Sequence, residues 1–484
     1  MARPSFRSVS RSAPRRTIAA ALAVPLLVLW AGCATNPVTG ESELSLIGEQ
    51  EEIQMGREAD RQVVASMGLV EDPELVALVN ETGQALAAVS ERPDLPWTFR
   101  VIDDPTVNAF ALPGGFVYVT RGMLGHLDSE AQLAGILGHE IGHVTARHSV
   151  NQISRQQVAS LGLGLGMILV PELQRYGDFA GLGMQLLFLK FGRDDERQSD
   201  ELGVDYMTQL GYDPAELADV FGLLARKSGS EGGALPAWAS THPQPEERQA
   251  EILTLAESHP GAQRVERDAY LSLLDGLIFG DDPRNGFFRD GWFHHPDLTF
   301  RFVLPRGWQG LNGDQAVQLM GPDQDVMTVL QLADGADPRA AAEQFAGQEG
   351  VQVQGTRSAA IHGLDAVWLD FTVQTSEGTL AGRAAFPLLD GRVYAFYGFA
   401  PAQSWGAHQG TVTELLGSFQ RETDPAVLAV TPDRIDVLNL DRALSVSEFV
   451  ARYEVAVDAA TVALINQVWD TERLEAGWVK RIVS

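Results

Sequence analysis

The segment His139-Glu140-Ile141-Gly142-His143 places two imidazoles four residues apart, with a carboxylate beside the first of them. Residues four apart lie on the same face of a helix, so both imidazoles can bind one metal ion. Glu140 then lies within reach of a water molecule at that ion and can act as its general base. The pattern predicts a zinc-dependent hydrolytic site, although histidines at this spacing also occur on ordinary surface helices.

A catalytic zinc site needs a third protein ligand and an open position for water. His148 is the nearest candidate, but the longer motif of the metzincin peptidases would require a ligand at Ser149 and a glycine at Ala146. Because neither residue matches, we expect an acidic ligand from elsewhere. The predicted helix Asp194–Leu210 supplies three candidates, Glu196, Asp200 and Glu201. The first two are four residues apart, so one can bind the metal while the other supports a ligand from behind.

Three segments together resemble the HtpX and CAAX-prenyl-endopeptidase family of gluzincin metallopeptidases, in particular its exported bacterial lipoprotein branch. They are His139–His143, Glu196–Asp200 with Gly203, and Asn108–Gly115, and the resemblance covers about Gly40 to Pro260. It implies one zinc ion per chain, with His139, His143 and Glu196 as ligands, Glu140 as general base and Asp200 as the supporting acid. Many members have Glu-Ala before that aspartate. Gln198-Ser199 stand there in this chain, a change beside the ligand that leaves the ligand intact.

The resemblance also assigns roles to two further segments. Thr241-His242-Pro243 with Arg248 resembles the family's His-Pro…Arg motif. It implies that His242 lies near the metal, where it either stabilises an oxyanion or blocks the resting site, and that Arg248 is a structural or electrostatic partner. Asn108, Ala109, Phe110 and Ala111 would form the edge strand that pairs with an extended substrate backbone. Without the resemblance, these segments would be a loop histidine and an ordinary strand.

The elements that must position these residues belong to a predicted metallopeptidase domain at 33–280, which is helix-rich and has a small edge-strand sheet. Apolar residues at helical spacing predict helices at Gln50–Met67, Asp72–Val89 and Ser129–His148. Runs of β-branched and aromatic residues predict strands at Trp97–Ile102 and Phe116–Thr120. Two apolar runs, Val158–Val170 and Phe179–Phe191, are attributed to core packing, with membrane contact or a substrate cleft as the alternative.

The rest of the chain changes period, so the predicted fold class is α+β. Residues 285–425 predict an antiparallel α+β sandwich that loosely resembles PsbP-like domains. Its expected strands are Leu298–Leu304, Val326–Leu332, Ala366–Val373 and Val393–Phe399, and its expected helices lie near Pro338–Gln348 and Ala407–Phe419. We expect His294-His295 to be a surface pair rather than a metal site.

Residues 430–484 predict a small α/β module with helices around Ser445–Arg452 and Ala459–Asn466. Leu464-Ile-Asn466 and Leu474-Glu-Ala-Gly477 are spaced as in LysM modules, which suggests peptidoglycan contact. The Gly-Asp-Thr usual in those modules is absent, so a cap with no binding role is an equal alternative.

The first 32 residues predict a signal peptide. Five arginines and no acid precede an uncharged, mostly apolar stretch, Thr17–Gly32, and Ala31-Gly32 lead to Cys33, the single cysteine of the chain. This resembles a bacterial lipoprotein signal in which Cys33 is acylated, although Trp30 stands where Leu is usual. A plain signal peptide or an uncleaved anchor is the alternative. Ala34 after the cysteine points, by the rule for such lipoproteins, to the periplasmic face of the outer membrane.

Composition limits the partners of the chain. Its 484 residues carry a formal net charge of −28. So acidic a chain lacks the basic footprint that nucleic-acid binding needs, and it does not favour electrostatic docking on anionic lipid. A single cysteine excludes an intrachain disulfide and a cysteine-based structural zinc site.

The sequence thus predicts a zinc endopeptidase of the bacterial cell envelope that acts on extended or misfolded polypeptides in protein quality control. The alternative is a non-catalytic chaperone or scaffold for outer-membrane protein assembly that contains zinc. Glu140 distinguishes the two, because a scaffold needs no general base.

Overall fold

The computed structural model describes residues 33–163, 189–230 and 237–484, apart from positions 314, 336, 376, 377 and 470. Helices and sheets combine in an α+β fold, as predicted. The expected signal peptide and most of the two apolar runs, Val158–Val170 and Phe179–Phe191, lie outside these residues. None of the helices within the described ranges is both long and apolar enough to cross a membrane.

The part of the chain that carries the predicted site is built mainly from helices. They are α1 (Glu49–Met67), α2 (Pro73–Ala88), α3 (Arg121–His126), α4 (Glu130–Thr145), α5 (His148–Leu163), α6 (Arg193–Gln209), α7 (Ala215–Ser230), α8 (Ala237–Thr241), α9 (Pro245–Ala256) and α10 (Arg267–Leu273). The strands of this part are β1 (Cys33–Thr35), β2 (Ser42–Leu44), β3 (Thr98–Ile102), β4 (Ala109–Leu112) and β5 (Phe116–Thr120).

Helix α4 is the central element of this part. Ser129 caps its start by accepting a hydrogen bond from the Gln132 amide. Every residue from Ala131 to Thr145 is buried, so the helix is enclosed on all sides. The predicted helix Ser129–His148 extends too far at its end. The helix stops at Thr145, because Arg147 adopts a φ of 60° and the chain turns there into α5.

A three-stranded sheet lies beside α4, in the order β3-β5-β4. Strand β3 runs parallel to β5, whereas β4 is antiparallel to it. Strand β4 is therefore an edge of this sheet, at the position where the sequence predicts the substrate-pairing strand.

The middle of the chain is dominated by antiparallel strands. They are β6 (Phe287–Arg289), β7 (Trp292–His295), β8 (Phe300–Val303), β9 (Gln309–Asn312), β10 (Ala316–Met320), β11 (Met327–Leu332), β12 (Val351–Ser358), β13 (Ala366–Thr375), β14 (Gly378–Leu389), β15 (Arg392–Pro401) and β16 (Gln420–Arg421). Seven of these form a sheet in the order β12-β13-β14-β15-β11-β10-β9, and four form a second sheet, β16-β8-β7-β6. The helices here are α11 (Pro338–Ala346), α12 (Trp405–Gly417) and α13 (Pro425–Leu428).

The last residues form a small unit of β17 (Arg434–Leu440), β18 (Leu444–Ser445), α14 (Val446–Arg452), α15 (Ala459–Ile465), β19 (Arg473–Leu474) and β20 (Gly477–Val483), in which β17 pairs with β20. This unit packs against the helices around α4. Ile435, Ile465 and Ile482 belong to the same buried apolar cluster as residues of α4 and α7.

Candidate metal centre

Helix α4 and helix α6 bring three of the predicted ligands together. The Nε2 atoms of His139 and His143 are 3.0 Å apart. Glu196 lies opposite them, with one carboxylate oxygen 3.6 Å from His139 Nε2 and the other 3.6 Å from His143 Nε2. All three side chains are buried. Two imidazoles and a carboxylate are a ligand set that zinc uses in catalytic sites.

His242 enters the same group from the end of helix α8. Its Nδ1 lies 2.9 Å from a Glu196 carboxylate oxygen and 3.3 Å from His139 Nε2. One donor atom from each of these four residues lies within 4.8 Å of the others, which fits a single metal ion. His242 therefore offers a fourth donor atom beside the three predicted ligands.

The electrostatics of the group suit a metal site. Burial is the main cause that lowers the pKa of His143 well below its usual value, and the neighbouring histidines and Arg248 add to this effect. Burial raises the pKa of Glu196, but attraction to His242 and Arg248 outweighs it, so this pKa lies below its usual value. A neutral imidazole and an ionised carboxylate are the forms that bind metal ions.

Asp200 and Arg248 lie behind the ligands. Asp200 Oδ1 is 2.9 Å from His139 Nδ1, a contact that orients the ring so that its Nε2 faces the site. Arg248 donates from Nε and Nη2 to the two Asp200 oxygens at 2.7 and 2.6 Å, and its Nη1 lies 2.5 Å from Glu196. Burial raises the pKa of Asp200, and the attraction of Arg248 more than reverses this effect. Arg248 therefore holds the carboxylates of both Glu196 and Asp200.

Small residues let α4 and α6 approach closely enough for these contacts. A Cβ atom added to Gly203 would lie 2.9 Å from the backbone nitrogen of His139, and one added to Gly138 would lie 3.1 Å from the Gly203 Cα. Gly142 faces Ser199 at a similar distance. The glycines at these positions are thus a packing requirement of the site.

Glu140 lies at the side of the group nearest to helix α8. Its Oε1 is 3.6 Å from His242 Nε2 and accepts a hydrogen bond from Trp238 Nε1 at 3.2 Å. The Trp238 ring also stacks on His242, with centroids 4.6 Å apart. Sequence reasoning missed Trp238. An aromatic residue four positions before His242, within one turn of helix, was the available indication.

His148 is a further neighbour of the site that is not a ligand. Its Nδ1 is 2.9 Å from His143 Nδ1, and its Nε2 is 2.9 Å from Gln198 Oε1. When His148 donates from Nε2 to Gln198, its Nδ1 accepts from His143, which leaves His143 Nε2 free to bind a metal. Gln198 is one of the positions where the sequence departs from the family pattern. Its side-chain carbonyl oxygen accepts this hydrogen bond from His148.

The other candidates are placed as follows. Asn108 precedes strand β4, which contains Ala109, Phe110 and Ala111, and the Trp238 amide donates to the Val107 carbonyl at 3.3 Å. Helix α8 is thus joined to the start of the edge strand. Glu201 is exposed and lies outside the group. Cys33 begins strand β1.

The expectation for the histidine pair outside the site can also be compared with the structure. The expectation of a surface pair is wrong for His294, which is buried with its Nδ1 2.5 Å from the buried carboxylate of Glu422. Its neighbour His295 lies on the opposite face of strand β7, because side chains alternate along a strand.

Comparison with known proteins places this site in a family. The model of peptidase family M48 matches residues 74–256. The mitochondrial metalloendopeptidase OMA1 of Schizosaccharomyces pombe (strain 972 / ATCC 24843) is 31% identical over 240 residues, which are 48% of this chain and 69% of that protein. The beta-barrel assembly-enhancing protease of Escherichia coli (strain K12) is 28% identical over 291 residues. That match spans 58% of this chain and 59% of the length of the relative.

A comparison with solved structures yields only a distant likeness. Cyanobacterial PsbP from Synechocystis sp. PCC 6803 matches with a TM-score of 0.23 and 13% identity, over 27% of this chain and 91% of that chain. The family match covers the segment that holds His139, His143, Glu196 and His242. This match and the OMA1 relative confirm the resemblance inferred from the sequence, and the chain belongs to peptidase family M48.

Proposed function

We propose that this chain is a zinc-dependent endopeptidase of the bacterial cell envelope that cleaves extended or misfolded protein segments in protein quality control. The observation that carries the proposal is the buried group of His139, His143 and Glu196, with Glu140 beside it. A scaffold that contains zinc could use the same three ligands. It would have no need of Glu140, the buried carboxylate beside them.

Each residue of the site has its own role in the proposed reaction. A bound zinc ion would supply a Lewis acid that polarises the scissile carbonyl and activates water. Glu140 accepts the proton of the attacking water and delivers it to the leaving amine. Asp200 keeps His139 in its ligating orientation, and Arg248 keeps Glu196 and Asp200 ionised. Burial of the whole group excludes bulk water and strengthens each of these interactions.

Two further residue roles concern access to the site. Among the described residues β4 has a strand neighbour on one side, β5, and its other edge, from Asn108 to Ala111, would pair with the backbone of an extended substrate, in line with a preference for unfolded segments. His242 would have to move before a substrate carbonyl can approach, because its ring lies among the ligands. We therefore infer that His242 blocks the resting site. Replacement by alanine should increase cleavage if His242 blocks the site, and should decrease cleavage if it stabilises an oxyanion.

We propose that Cys33 is lipidated and anchors the chain to the periplasmic face of the outer membrane, after removal of 1–32 as a signal peptide. The basic start, the apolar stretch and Ala31-Gly32-Cys33 support this proposal. The E. coli relative is named for enhancing β-barrel assembly, which agrees with a role in the envelope. This chain spans 59% of the length of that protein. That the two proteins act on the same substrates is therefore a proposal.

We propose three functional parts for the chain: the metallopeptidase domain at 33–280, a PsbP-like α+β sandwich at 285–425 and a LysM-like module at 430–484. The antiparallel sheets of the middle part support this division, as does the order of two strands, two helices and two strands in the last part. Contact of the last part with peptidoglycan remains a proposal that rests on the spacing of its sequence.

Removal and return of zinc tests the proposed activity. The parent chain is assayed on unfolded casein before and after treatment with a chelator, and again after one equivalent of zinc is added. We expect cleavage to disappear with the metal and to return with it, while Glu196→Gln neither holds the ion nor cleaves. If cleavage persisted without zinc, the proposal would be contradicted. Binding of zinc without any cleavage, in the parent and in His242→Ala, would favour the scaffold.

A further inference from the structure

The imidazole ring of His242 packs against two larger aromatic rings. The Trp238 ring stacks on it, with centroids 4.6 Å apart and an angle of 21° between the planes. The ring of Phe191, a half-buried residue, lies beside it at 5.7 Å with a tilt of 32°. His242 is buried, so little of its ring is open to solvent. We call the space that this ring fills, next to Trp238 and Phe191, the ring site.

The ring site borders the proposed zinc ligands. Trp238 lies 5.5 Å from the His139 ring, and Phe191 stacks on the His143 ring at 4.1 Å. Successive residues of an extended peptide rise by about 3.3 Å. A substrate whose scissile carbonyl reaches the metal therefore brings the side chains next to the scissile bond within reach of the ring site.

Trp238 is anchored by contacts that do not involve His242. Its ring meets Phe221 edge to face at 5.2 Å, and the Arg248 guanidinium lies over it at 5.1 Å. Its backbone amide donates to the Val107 carbonyl at 3.3 Å. His242 follows the end of the short helix α8, so a rotation about its Cα–Cβ bond moves the imidazole without moving Trp238. Departure of the His242 ring therefore uncovers one face of the Trp238 ring.

The polar contacts of His242 are with groups that the proposed reaction uses in another way. Its Nδ1 lies 2.9 Å from Glu196, a proposed ligand, and its Nε2 lies 3.6 Å from Glu140, the proposed base. These carboxylates serve the metal and the attacking water during the reaction, so a ring that replaces His242 needs no nitrogen atoms. Arg248 and a bound zinc ion balance the buried carboxylates, so no net charge favours a cationic side chain. Aromatic rings attract one another beyond the effect of burial, which favours a planar aromatic group.

We propose that an aromatic side chain of the substrate, next to the scissile bond, displaces His242 from the ring site and packs on Trp238 and Phe191. This inference rests on the proposed peptidase function and adds a preference for aromatic residues on one side of the cleaved bond. The same exchange opens the resting site, because the substrate ring makes the contacts that His242 gives up. Phenylalanine is among the residues most often buried in folded proteins, so unfolded segments are the natural source of such a ring.

The first test compares peptides that differ in one ring. Mass spectrometry identifies a bond that the full zinc-loaded chain cleaves in unfolded casein, and peptides copy this segment with phenylalanine or cyclohexylalanine at either residue of the bond. Cyclohexylalanine is apolar and of similar size but is not aromatic. We expect a kcat/KM about fivefold higher for phenylalanine at one of the two positions, and a difference below about twofold in Phe191→Leu and in Trp238→Leu. Trp469→Leu, at an exposed tryptophan outside the metal group, should keep the full preference.

Binding of a free ring tests the ring site without any cleavage. The parent and His242→Ala are titrated with 4-fluorotoluene, which has the size of an aromatic side chain, and fluorine NMR line widths report its binding. We expect saturable binding by His242→Ala beyond that of the parent, weakened about fivefold when Phe191→Leu is added. His259→Ala, at a partly exposed histidine away from the metal group, should behave as the parent does.

Each experiment can overturn the proposal. It is contradicted if His242→Ala binds 4-fluorotoluene no better than the parent does. It is equally contradicted if phenylalanine and cyclohexylalanine are cleaved at equal rates at both positions, a result that would leave the proposed peptidase function intact. If no chain cleaved any peptide, the proposed function would fail, and the binding of 4-fluorotoluene alone would decide whether the ring site accepts an aromatic group.

Discussion

At the scale of single residues, the proposed zinc ligands contact a set of supporting side chains, and some of these could be predicted from the sequence whereas others could not. His139, Glu140 and His143 share one turn and a half of helix, so their spacing alone places them together. Glu196 and Asp200 follow the same rule on another helix, but the resemblance was needed to choose the ligand. The contacts of Trp238 and His148 depend on how α8 and the start of α5 pack, so the spacing before His242 could indicate Trp238 as a neighbour but not its hydrogen bond to Glu140, and nothing in the sequence indicated the role of His148.

His148 provides a prediction at this scale. It lies between His143 and Gln198, and its replacement by phenylalanine removes the acceptor that fixes the ring of a zinc ligand. We expect the zinc affinity to fall 10- to 100-fold, as is usual when the partner of a ligating histidine is lost. Competition with a chromophoric chelator measures this affinity. His259→Phe, at a partly exposed histidine away from the metal group, is the control, and an unchanged affinity in His148→Phe would show that the contact is incidental.

At the scale of elements, long periodic helices were predicted well and other elements less well. Helices α1, α2 and α6 begin and end within a residue or two of the predicted positions, because their apolar faces are regular. Strand β14 was not predicted, since Gly382, Arg383 and Pro387 interrupt its pattern, although its position between β13 and β15 buries most of it. Strand β12 was missed because it is an exposed edge strand whose polar residues resemble a loop.

The close approach of α4 and α6 leads to a second prediction. Gly203→Ala places a methyl group 2.9 Å from the backbone nitrogen of His139. Because this contact is with backbone, one of the two helices would have to shift to make room, at a cost in free energy. We expect a loss of about 1–3 kcal/mol in unfolding free energy and a zinc affinity reduced at least tenfold, since α6 carries Glu196. Gly222→Ala is the control, because its methyl group meets the flexible side chain of Gln249. Equal urea midpoints and zinc affinities for both variants would contradict the packing requirement.

At the scale of the whole molecule, the last residues are tied to the start of the metal-binding helix. Lys480 of β20 is fully buried and donates to the carbonyl of Leu127 at 2.8 Å, and its Nζ lies 2.7 Å from Asp128. Burial is the main cause that lowers the pKa of this lysine, in opposition to Asp128. The sequence predicted a small module here but not its attachment, because the apolar residues of one unit do not reveal which other unit they contact.

Lys480→Met tests this attachment. Among the described residues, the change leaves the Asp128 carboxylate with the more distant cation of Arg267, at 3.5 Å, and it removes the Lys480 hydrogen bonds to the carbonyls of Gly125 and Leu127. We expect the free energy of unfolding to fall by about 3 kcal/mol, as is typical when one partner of a buried ion pair is removed. Urea denaturation monitored by circular dichroism measures it, with a change at the exposed Lys190, Lys190→Met, as the control. A loss no larger than that of the control would mean that the last part attaches without Lys480.

The central claim is that Glu140 performs peptide-bond hydrolysis at a zinc site, and the matched pair of the parent and Glu140→Gln tests it most directly. Both zinc-loaded chains, from Ala34 onward, are incubated with unfolded casein, and their metal content is measured in parallel. We predict one zinc ion in each chain and cleavage by the parent at least 100-fold faster than by the variant. Equal cleavage by both chains would contradict the assignment of the base. If neither chain cleaved, even with His242→Ala added to the parent, the chain would be a zinc-containing scaffold and not a peptidase.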